Sequence, residues 1–126
     1  MALRDHSTQD MQHYLTEAEE GKLLVAYLRL RNFKFTHVPN ETGGSPEARR
    51  RANRMKQQGV SRGFPDYIVI VKGKLLFIEL KRVKGSRVSP EQLEWIAALE
   101  ACGVYAEVCA GWEHAKVFIE EVEYGL

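Results

Sequence analysis

Two acidic residues and a lysine near the middle of the chain are spaced so that a β-hairpin would bring them together. Asp66 precedes one apolar run, and Glu79 and Lys81 close the next. If Lys72 and Gly73 form a two-residue turn, strand pairing places Asp66 directly opposite Glu79, on the same face of the hairpin. Lys81 lies two residues beyond Glu79 and therefore shares that face. The spacing predicts two carboxylates and an ammonium group at the open end of a hairpin.

Two carboxylates held this close repel each other unless a cation neutralises them. Mg²⁺ prefers carboxylate oxygens, and Mn²⁺ is expected to substitute for it. Such an ion lowers the pKa of water and stabilises charge on a phosphate under in-line attack, and Lys81 could position or deprotonate the attacking water. The alternative is an ordinary surface pair of Glu79 and Lys81 at a strand end, which is the usual meaning of a bare Glu-x-Lys. The register with Asp66 favours the metal site.

The elements that must position these residues indicate one α/β domain. Thr16 and Ser89 each begin a helix with a capping box, completed by Glu19 and Gln92. A further helix is expected to start at Pro46, and a last one spans 112–122. Apolar runs predict strands at 33–38, 67–71, 75–80 and 104–109. The order of elements predicts a mixed β-sheet flanked by helices.

The size and composition fit a single compact domain. The chain has 126 residues, of which 44% are hydrophobic. We expect a polar N-terminal segment over residues 1–15 and the domain over 16–126. No apolar run approaches the ~20 residues that span a bilayer, and the polar N-terminus lacks a signal-peptide core. With Cys102 and Cys109 interpreted as buried thiols, the sequence predicts a cytoplasmic, soluble protein.

A basic segment stands out although the formal net charge of the chain is only +1. Residues 46–62 have almost no large apolar side chains, which predicts either a solvated basic helix or a mobile arm, inserted before the hairpin and followed by a flexible linker between Gly59 and Gly63. Local positive charge favours contacts with phosphates, while the alternative is a plain solvated charge run. The predicted DNA-binding residues are Arg49, Arg50, Arg51, Arg54, Lys56 and Arg62, with Lys84 and Arg87 extending the surface.

Three motifs together resemble a known nuclease family. They are Gly63-Phe64-Pro65-Asp66, then Phe77-Ile78-Glu79-Leu80-Lys81, then Ser89-Pro90-Glu91-Gln92. This combination resembles the virus-type replication-repair nuclease domain, VRR-Nuc, of the PD-(D/E)xK nuclease superfamily, in its stand-alone phage and bacterial form. The resemblance implies a restriction-endonuclease-like core. The resemblance extends from about Thr16 to Glu113.

The resemblance implies a role for each matching residue. Asp66 and Glu79 would bind the divalent metal, with the backbone carbonyl of Leu80 as a further ligand. Lys81 would serve the attacking water. Gln92 stands where the family has a glutamine that faces the site, although a helix capping box explains it equally well and both can hold.

The first helix of the family also carries a catalytic glutamate. Glu17 occupies that place, but the glutamine that often follows four residues later is Gly21 here. Glu20 is the rival because it lies on the helix face of Leu23, Leu24 and Tyr27. Both acids also fit an ordinary helix N-terminus, where the macrodipole favours negative charge.

The function implied is a metal-dependent DNA endonuclease that selects branched DNA, since stand-alone members resemble Holliday-junction resolvases. Those act as homodimers, and a two-fold dimer would provide two active sites for paired cuts. Two alternatives remain open from the sequence. One is a DNA-binding or packaging accessory protein whose site is vestigial. The other is a restriction-type endonuclease, for which the chain contains no obvious base-reading element.

Overall fold

The computed structural model describes residues 13–39 and 44–126. Most of the predicted polar segment 1–15 therefore lies outside the described residues. The elements are α1 (Glu17–Leu30), β1 (Lys34–His37), α2 (Pro46–Gln57), β2 (Tyr67–Val71), β3 (Lys74–Lys81), α3 (Pro90–Ala101), β4 (Tyr105–Ala110) and α4 (Trp112–Tyr124).

The four strands form one mixed sheet in the order β1-β2-β3-β4. The pairs β1–β2 and β2–β3 are antiparallel, and β3–β4 is parallel, because α3 crosses between them. The predicted α/β architecture is confirmed.

The hairpin of β2 and β3 has the register predicted from the sequence. Val71 pairs with Lys74 across a turn in which both Lys72 (φ 51°) and Gly73 (φ 75°) are left-handed, as a two-residue type I′ hairpin requires. Pairing continues to Tyr67 opposite Ile78. The next positions along the two strands are Asp66 and Glu79, so the hairpin ends where these two acids meet.

Helices cover both faces of the sheet. On one face, α1 and α4 bury the larger core, and on the other α3 packs Ile96 against Phe77 and Ala106. None of the helices within residues 13–39 and 44–126 is long and apolar enough to cross a membrane. The residues of the larger core that are fully or almost fully buried include Leu24, Leu28, Val69, Val71, Leu76, Ile78, Leu80, Cys109 and Ile119.

The basic segment is a helix in the structure, the first of the two predicted alternatives. Ser45 caps α2 by accepting a hydrogen bond from the amide of Ala48 at 3.0 Å, and Pro46 opens the first turn. Ala48 is the one buried residue of α2, and the arginines of this helix are exposed to solvent.

Two sequence-based expectations differ from the structure. Cys102 is exposed rather than buried, because it is the C-terminal cap of α3, where the chain turns away from the core. Gly63, expected to border a flexible linker, packs tightly on the first turn of α3. A Cβ built on Gly63 would come within 2.7 Å of the carbonyl carbon of Glu91, and its φ is +90°. The loop is therefore docked against α3.

Candidate active site

A cleft of about 660 Å³ opens where the β2–β3 hairpin ends and α1 passes over it. The loop after β1 contributes a further wall through Pro39. The cleft brings together five sequence-predicted site residues and the residue proposed to offer its carbonyl: Glu17, Asp66, Glu79, Leu80, Lys81 and Gln92.

Backbone amides of two neighbouring chain segments, one on each side, hold Asp66 in place. Its Oδ2 accepts a hydrogen bond from the amide of Leu80 at 2.9 Å, and its main-chain carbonyl accepts one from the amide of Val38 at 2.6 Å. The residue before it, Pro65, is buried. These contacts continue the sheet one step past the end of β2 and fix the Asp66 carboxylate opposite the end of β3.

Glu79 is almost completely buried, at 2% exposure. Its Oε2 accepts a hydrogen bond from Nε2 of Gln92 at 2.9 Å and lies 3.6 Å from Nζ of Lys81. Its Oε1 is buried and has no hydrogen-bond partner among the described residues. A buried oxygen without a partner is costly, and such atoms are rare in folded proteins. The carboxyl of Asp66 can hydrogen bond to Glu79 only while one of the two acids is protonated, so with both ionised Oε1 needs a cation as its partner.

The protonation of Glu79 reflects the same crowding. Burial raises the pKa of Glu79 above its usual range, the charge of Asp66 raises it further, and the ammonium of Lys81 opposes both. The protein alone therefore disfavours two ionised carboxylates here. A divalent cation would reverse this balance, so the residues present fit a metal ion.

Gln92 fulfils both of the functions considered for it. Its backbone amide donates to Oγ of Ser89 at 3.2 Å, and its Oε1 accepts from the amide of Ser89 at 2.8 Å. The remaining amide nitrogen, Nε2, donates to Glu79. The capping box fixes the side chain of Gln92, and the fixed side chain in turn orients the buried carboxylate.

Glu17 and Glu20 have separate environments on α1. Glu17 is exposed and lines the cleft. Glu20 is 3% exposed, and its Oε1 accepts a hydrogen bond at 2.9 Å from the amide of Trp112, the first residue of α4. The preceding amide, of Gly111, donates to the carbonyl of Lys81 at 2.7 Å. Glu20 thus ties α1 to the junction at which β3 and β4 end.

One wall of the cleft is basic, a feature that was not predicted from the sequence. Lys22 and Arg29 line the cleft from α1. With Ala18 and Val25 they follow the spacing i, i+4, i+7 and i+11, which places four residues on one helix face. Counting along the helix in this way from Ala18, the neighbour of Glu17, could have identified Lys22 and Arg29 from the sequence.

The predicted DNA-binding residues are exposed and lie outside the cleft. Lys84 packs its ammonium over the ring of Tyr14, 5.1 Å from the centroid. Arg62 lines a separate depression on α3 together with two acids, Glu91 and Glu94. The residues that remain on the solvent face of α2 are Arg49, Arg50, Arg51, Arg54 and Lys56, and Arg87 lies in the exposed loop after β3.

A second group of metal-binding residue types lies on β4 and α4. Ligand atoms of Glu107, Cys109 and His114 come within 4.8 Å of one another. Nδ1 of His114 accepts from the amide of Ala110 at 3.0 Å, so Nε2 carries the proton and donates to Glu107 at 2.8 Å. Burial and the charge of Glu107 raise the pKa of the Cys109 thiol. Both histidine nitrogens are thus engaged, and the group anchors α4 on β4.

The mixed sheet, with acids, lysine and glutamine converging at the end of its central hairpin, defines a nuclease-type α/β domain. Residues 15–113 match the model of the VRR-NUC domain family, and the chain belongs to that family. A solved structure of a VRR_NUC domain protein has a TM-score of 0.70 and 28% sequence identity to this chain, covering 87% of this chain and 89% of that one. Among curated proteins, none is significantly similar to this chain.

Proposed function

We propose that this protein is a Mg²⁺-dependent endonuclease that hydrolyses phosphodiester bonds in DNA, with Mn²⁺ as a substitute metal. The observation that carries the proposal is the buried Oε1 of Glu79, which lacks a hydrogen-bond partner among the described residues and belongs to a cleft shared with Asp66 and Lys81. An oxygen in this position is suited to a hard cation.

The proposed metal ligands are Asp66, Glu79 and the backbone carbonyl of Leu80. The amide of Leu80 points at Asp66, and in a β-strand the carbonyl of a residue points to the same side as its amide. The Leu80 carbonyl is therefore expected to face the two carboxylates. A cation held there supplies the positive charge that stabilises the attacked phosphate and activates water.

The chain's own side chains divide the remaining tasks. Lys81, whose side chain is 13% exposed, holds the attacking water in line with the scissile bond. Glu17 approaches from the opposite wall, on α1, and orients the same water or the phosphate. Gln92 keeps Oε2 of Glu79 occupied, so that Oε1 is the oxygen that faces the cation.

The basic surfaces support DNA as the substrate, and they favour recognition of the shape of the DNA over its base sequence. Lys22 and Arg29 place positive charge beside the acidic centre, and α2 presents further arginines to solvent. Phosphate contacts fix register but carry no sequence information. We therefore propose branched DNA as the preferred substrate, cut in the cytoplasm by a homodimer that places one site on each of two strands.

A cleavage panel tests the proposal. Junction, flap, single-stranded and linear duplex DNA are incubated with the protein and Mg²⁺, Mn²⁺ or EDTA. We expect metal-dependent cutting that is fastest on junctions, and a reduction of cutting by at least about 100-fold in Lys81→Ala. Lys74→Ala, at the far end of β3, is the matched control and should cut normally.

The alternatives predict different results in the same panel. Tight DNA binding without cutting under any metal would contradict the proposed activity and favour an accessory DNA-binding protein. Cuts at fixed sequences in linear duplex DNA would favour a restriction-type endonuclease.

A further inference from the structure

The hydroxyl of Tyr67 occupies the space that a side chain at position 21 would need. A Cβ built on Gly21 would lie 2.9 Å from the hydroxyl oxygen, too close for two atoms that are not hydrogen bonded. The next neighbour, Cδ2 of Leu80, is at an ordinary 4.0 Å. Glycine at position 21 therefore makes room for one oxygen atom.

The ring that carries this hydroxyl is fixed in place. Tyr67 is 6% exposed and belongs to the larger core, and His37 stacks on it with the ring centroids 4.8 Å apart and the planes at 30°. His37, Tyr67 and Gly21 all line the cleft. A side chain held by packing on β2 and by stacking from β1 presents its hydroxyl in one direction, towards α1 at the cleft wall.

The hydroxyl has no hydrogen-bond partner among the described residues, and it is not a buried atom, so it is accessible from the cleft that Tyr67 lines. The nearby charges that act on Tyr67 are those of Asp66 and Glu17, which flank it in the cleft. A tyrosine hydroxyl in neutral solution is protonated and can donate. The group that would complete this site is a hydrogen-bond acceptor brought by the substrate.

We propose that Tyr67 donates a hydrogen bond to a non-bridging oxygen of the scissile phosphate, and that Gly21 is required to leave space for that hydroxyl. The assignment rests on the proposed nuclease function. A phosphodiester offers oxygens that accept but do not donate, which matches a fixed donor. The phosphate would then be held between Tyr67 and the centre formed by Asp66 and Glu79.

Tyr67→Phe tests the hydrogen bond because it removes only one oxygen, which has no hydrogen-bond partner among the described residues. We expect kcat for junction cleavage to fall about 10- to 100-fold, the range for losing a hydrogen bond to a charged group. The affinity for Mn²⁺, measured by calorimetry, and the melting temperature should be unchanged or slightly higher. Tyr105→Phe, on an exposed tyrosine at the opposite end of β4 from the cleft, is the matched control and should cut at the wild-type rate.

Gly21→Ala, made both in the wild-type protein and in Tyr67→Phe, tests whether the Tyr67 hydroxyl fills the space beside position 21. Alanine favours a helix over glycine, so Gly21→Ala added to Tyr67→Phe should raise the melting temperature by about 3 °C. With Tyr67 intact, the same change should fail to raise it and should reduce kcat, because the new methyl group displaces the hydroxyl. Equal shifts of melting temperature in the two backgrounds would contradict the packing on which the proposal depends.

The outcomes separate this proposal from the function on which it rests. If the wild-type protein cuts DNA and Tyr67→Phe cuts equally well, Tyr67 has no part in the reaction, while the proposed function stands. If the wild-type protein cuts nothing with either metal, the proposed function and the role of Tyr67 both fall. Slower cutting by Tyr67→Phe with weakened Mn²⁺ binding would also overturn the proposal, because the hydroxyl would then act on the metal site.

Discussion

The two carboxylate oxygens of Glu79 differ in their contacts with other side chains. Gln92 and Lys81 engage Oε2, while Oε1 is buried without a partner among the described residues. Burial and the charge of Asp66 raise the pKa of Glu79 and so favour its protonated form. A site of this kind is least stable when it is ionised and empty, so the stability of the protein should depend on pH and on metal.

The metal-free protein should lose stability as pH rises. The pKa of Glu79 is raised to about 8, so the stabilising contribution of its protonated form is full below the usual glutamate range and is lost as pH rises towards 8. In EDTA, Glu79→Gln should therefore melt about 5 °C higher than wild type at pH 8, with a smaller difference at pH 5. Differential scanning calorimetry across this range is the measurement.

Added Mg²⁺ provides the control for that experiment. It should raise the melting temperature of the wild-type protein at pH 8 and have little effect on Glu79→Gln, because the ligand that faces the cation is gone. Melting curves that respond equally to pH in the two proteins would show that Glu79 does not titrate as described.

At the scale of elements, helix α1 carries one acid that lines the cleft and another that connects the helix to α4. Glu17 faces the cleft, and one turn later Glu20 accepts the hydrogen bond from Trp112 at the start of α4. The hydrogen bond from Gly111 to the carbonyl of Lys81 continues this connection to the end of β3. Helix α1 is thus fixed relative to the strand that carries Glu79 and Lys81.

Glu17→Gln and Glu20→Ala should therefore have different effects. We expect Glu17→Gln to reduce cleavage about tenfold or more while the melting temperature changes little. Glu20→Ala should cost about 1–3 kcal/mol of unfolding free energy, because it leaves the amide of Trp112 without its charged acceptor. Chemical denaturation and junction cleavage are measured for both variants, with Glu20→Gln, whose amide oxygen can still accept, as the control.

The relative cleavage rates of the two glutamine variants can contradict the assignment of Glu17 to the reaction. If Glu20→Gln, with normal stability, reduces cleavage more than Glu17→Gln, then Glu20 rather than Glu17 is the acid on α1 that takes part in the reaction.

The two basic surfaces should differ in what they contribute to binding. For every phosphate that the protein no longer neutralises, the slope of log affinity against log salt should fall by roughly 0.9. Replacing Arg50, Arg51 and Arg54 of α2 by alanine should flatten the salt dependence and weaken binding to junction and duplex DNA by a similar factor. Cleavage at saturating protein should largely survive, because these residues lie outside the cleft.

Lys22 and Arg29 provide the comparison because they line the cleft itself. The double alanine variant should also flatten the salt slope, and in addition it should reduce cleavage at saturating protein. An unchanged salt slope in the α2 variant would show that α2 does not bind phosphate. A defect confined to junction binding would show that α2 recognises branch shape.

At the scale of the whole molecule, the site lies at one end of the sheet, where the central hairpin opens. The described domain provides one such site, and cutting both strands of a junction requires two. A two-fold homodimer supplies the second site, and cyclic dimers are the commonest oligomers. Paired cutting and dimerisation are therefore expected together.

A mixing experiment tests this expectation. Wild-type protein and Lys81→Ala are combined so that mixed dimers form, and cutting of a junction on a supercoiled plasmid is followed. Mixed dimers should leave single nicks where wild-type dimers linearise the plasmid. Light scattering should give the mass of two chains at the working concentration. A mass of 14.4 kDa together with paired cuts would contradict the dimer.

The sequence by itself determined the features that depend on near neighbours. The register of the β2–β3 hairpin follows from a two-residue turn, and it predicts Asp66 opposite Glu79 without knowledge of any other element. The capping boxes at Thr16 and Ser89 likewise involve residues three positions apart. Short separations leave few alternative geometries, so residue types and spacing are enough to predict them.

The tertiary structure decided the features that depend on contacts between distant parts of the chain. Helical periodicity placed Glu20 on the face of Leu23, Leu24 and Tyr27, but it could not show what that face meets. The contact of Glu20 with Trp112, 92 residues away, and the position of Glu17 in the cleft depend on tertiary packing. The exposure of Cys102 and the fit of the Tyr67 hydroxyl against Gly21 have the same origin. Which face of an element meets which neighbour is set by the packing of the whole core, and packing is not encoded in local spacing.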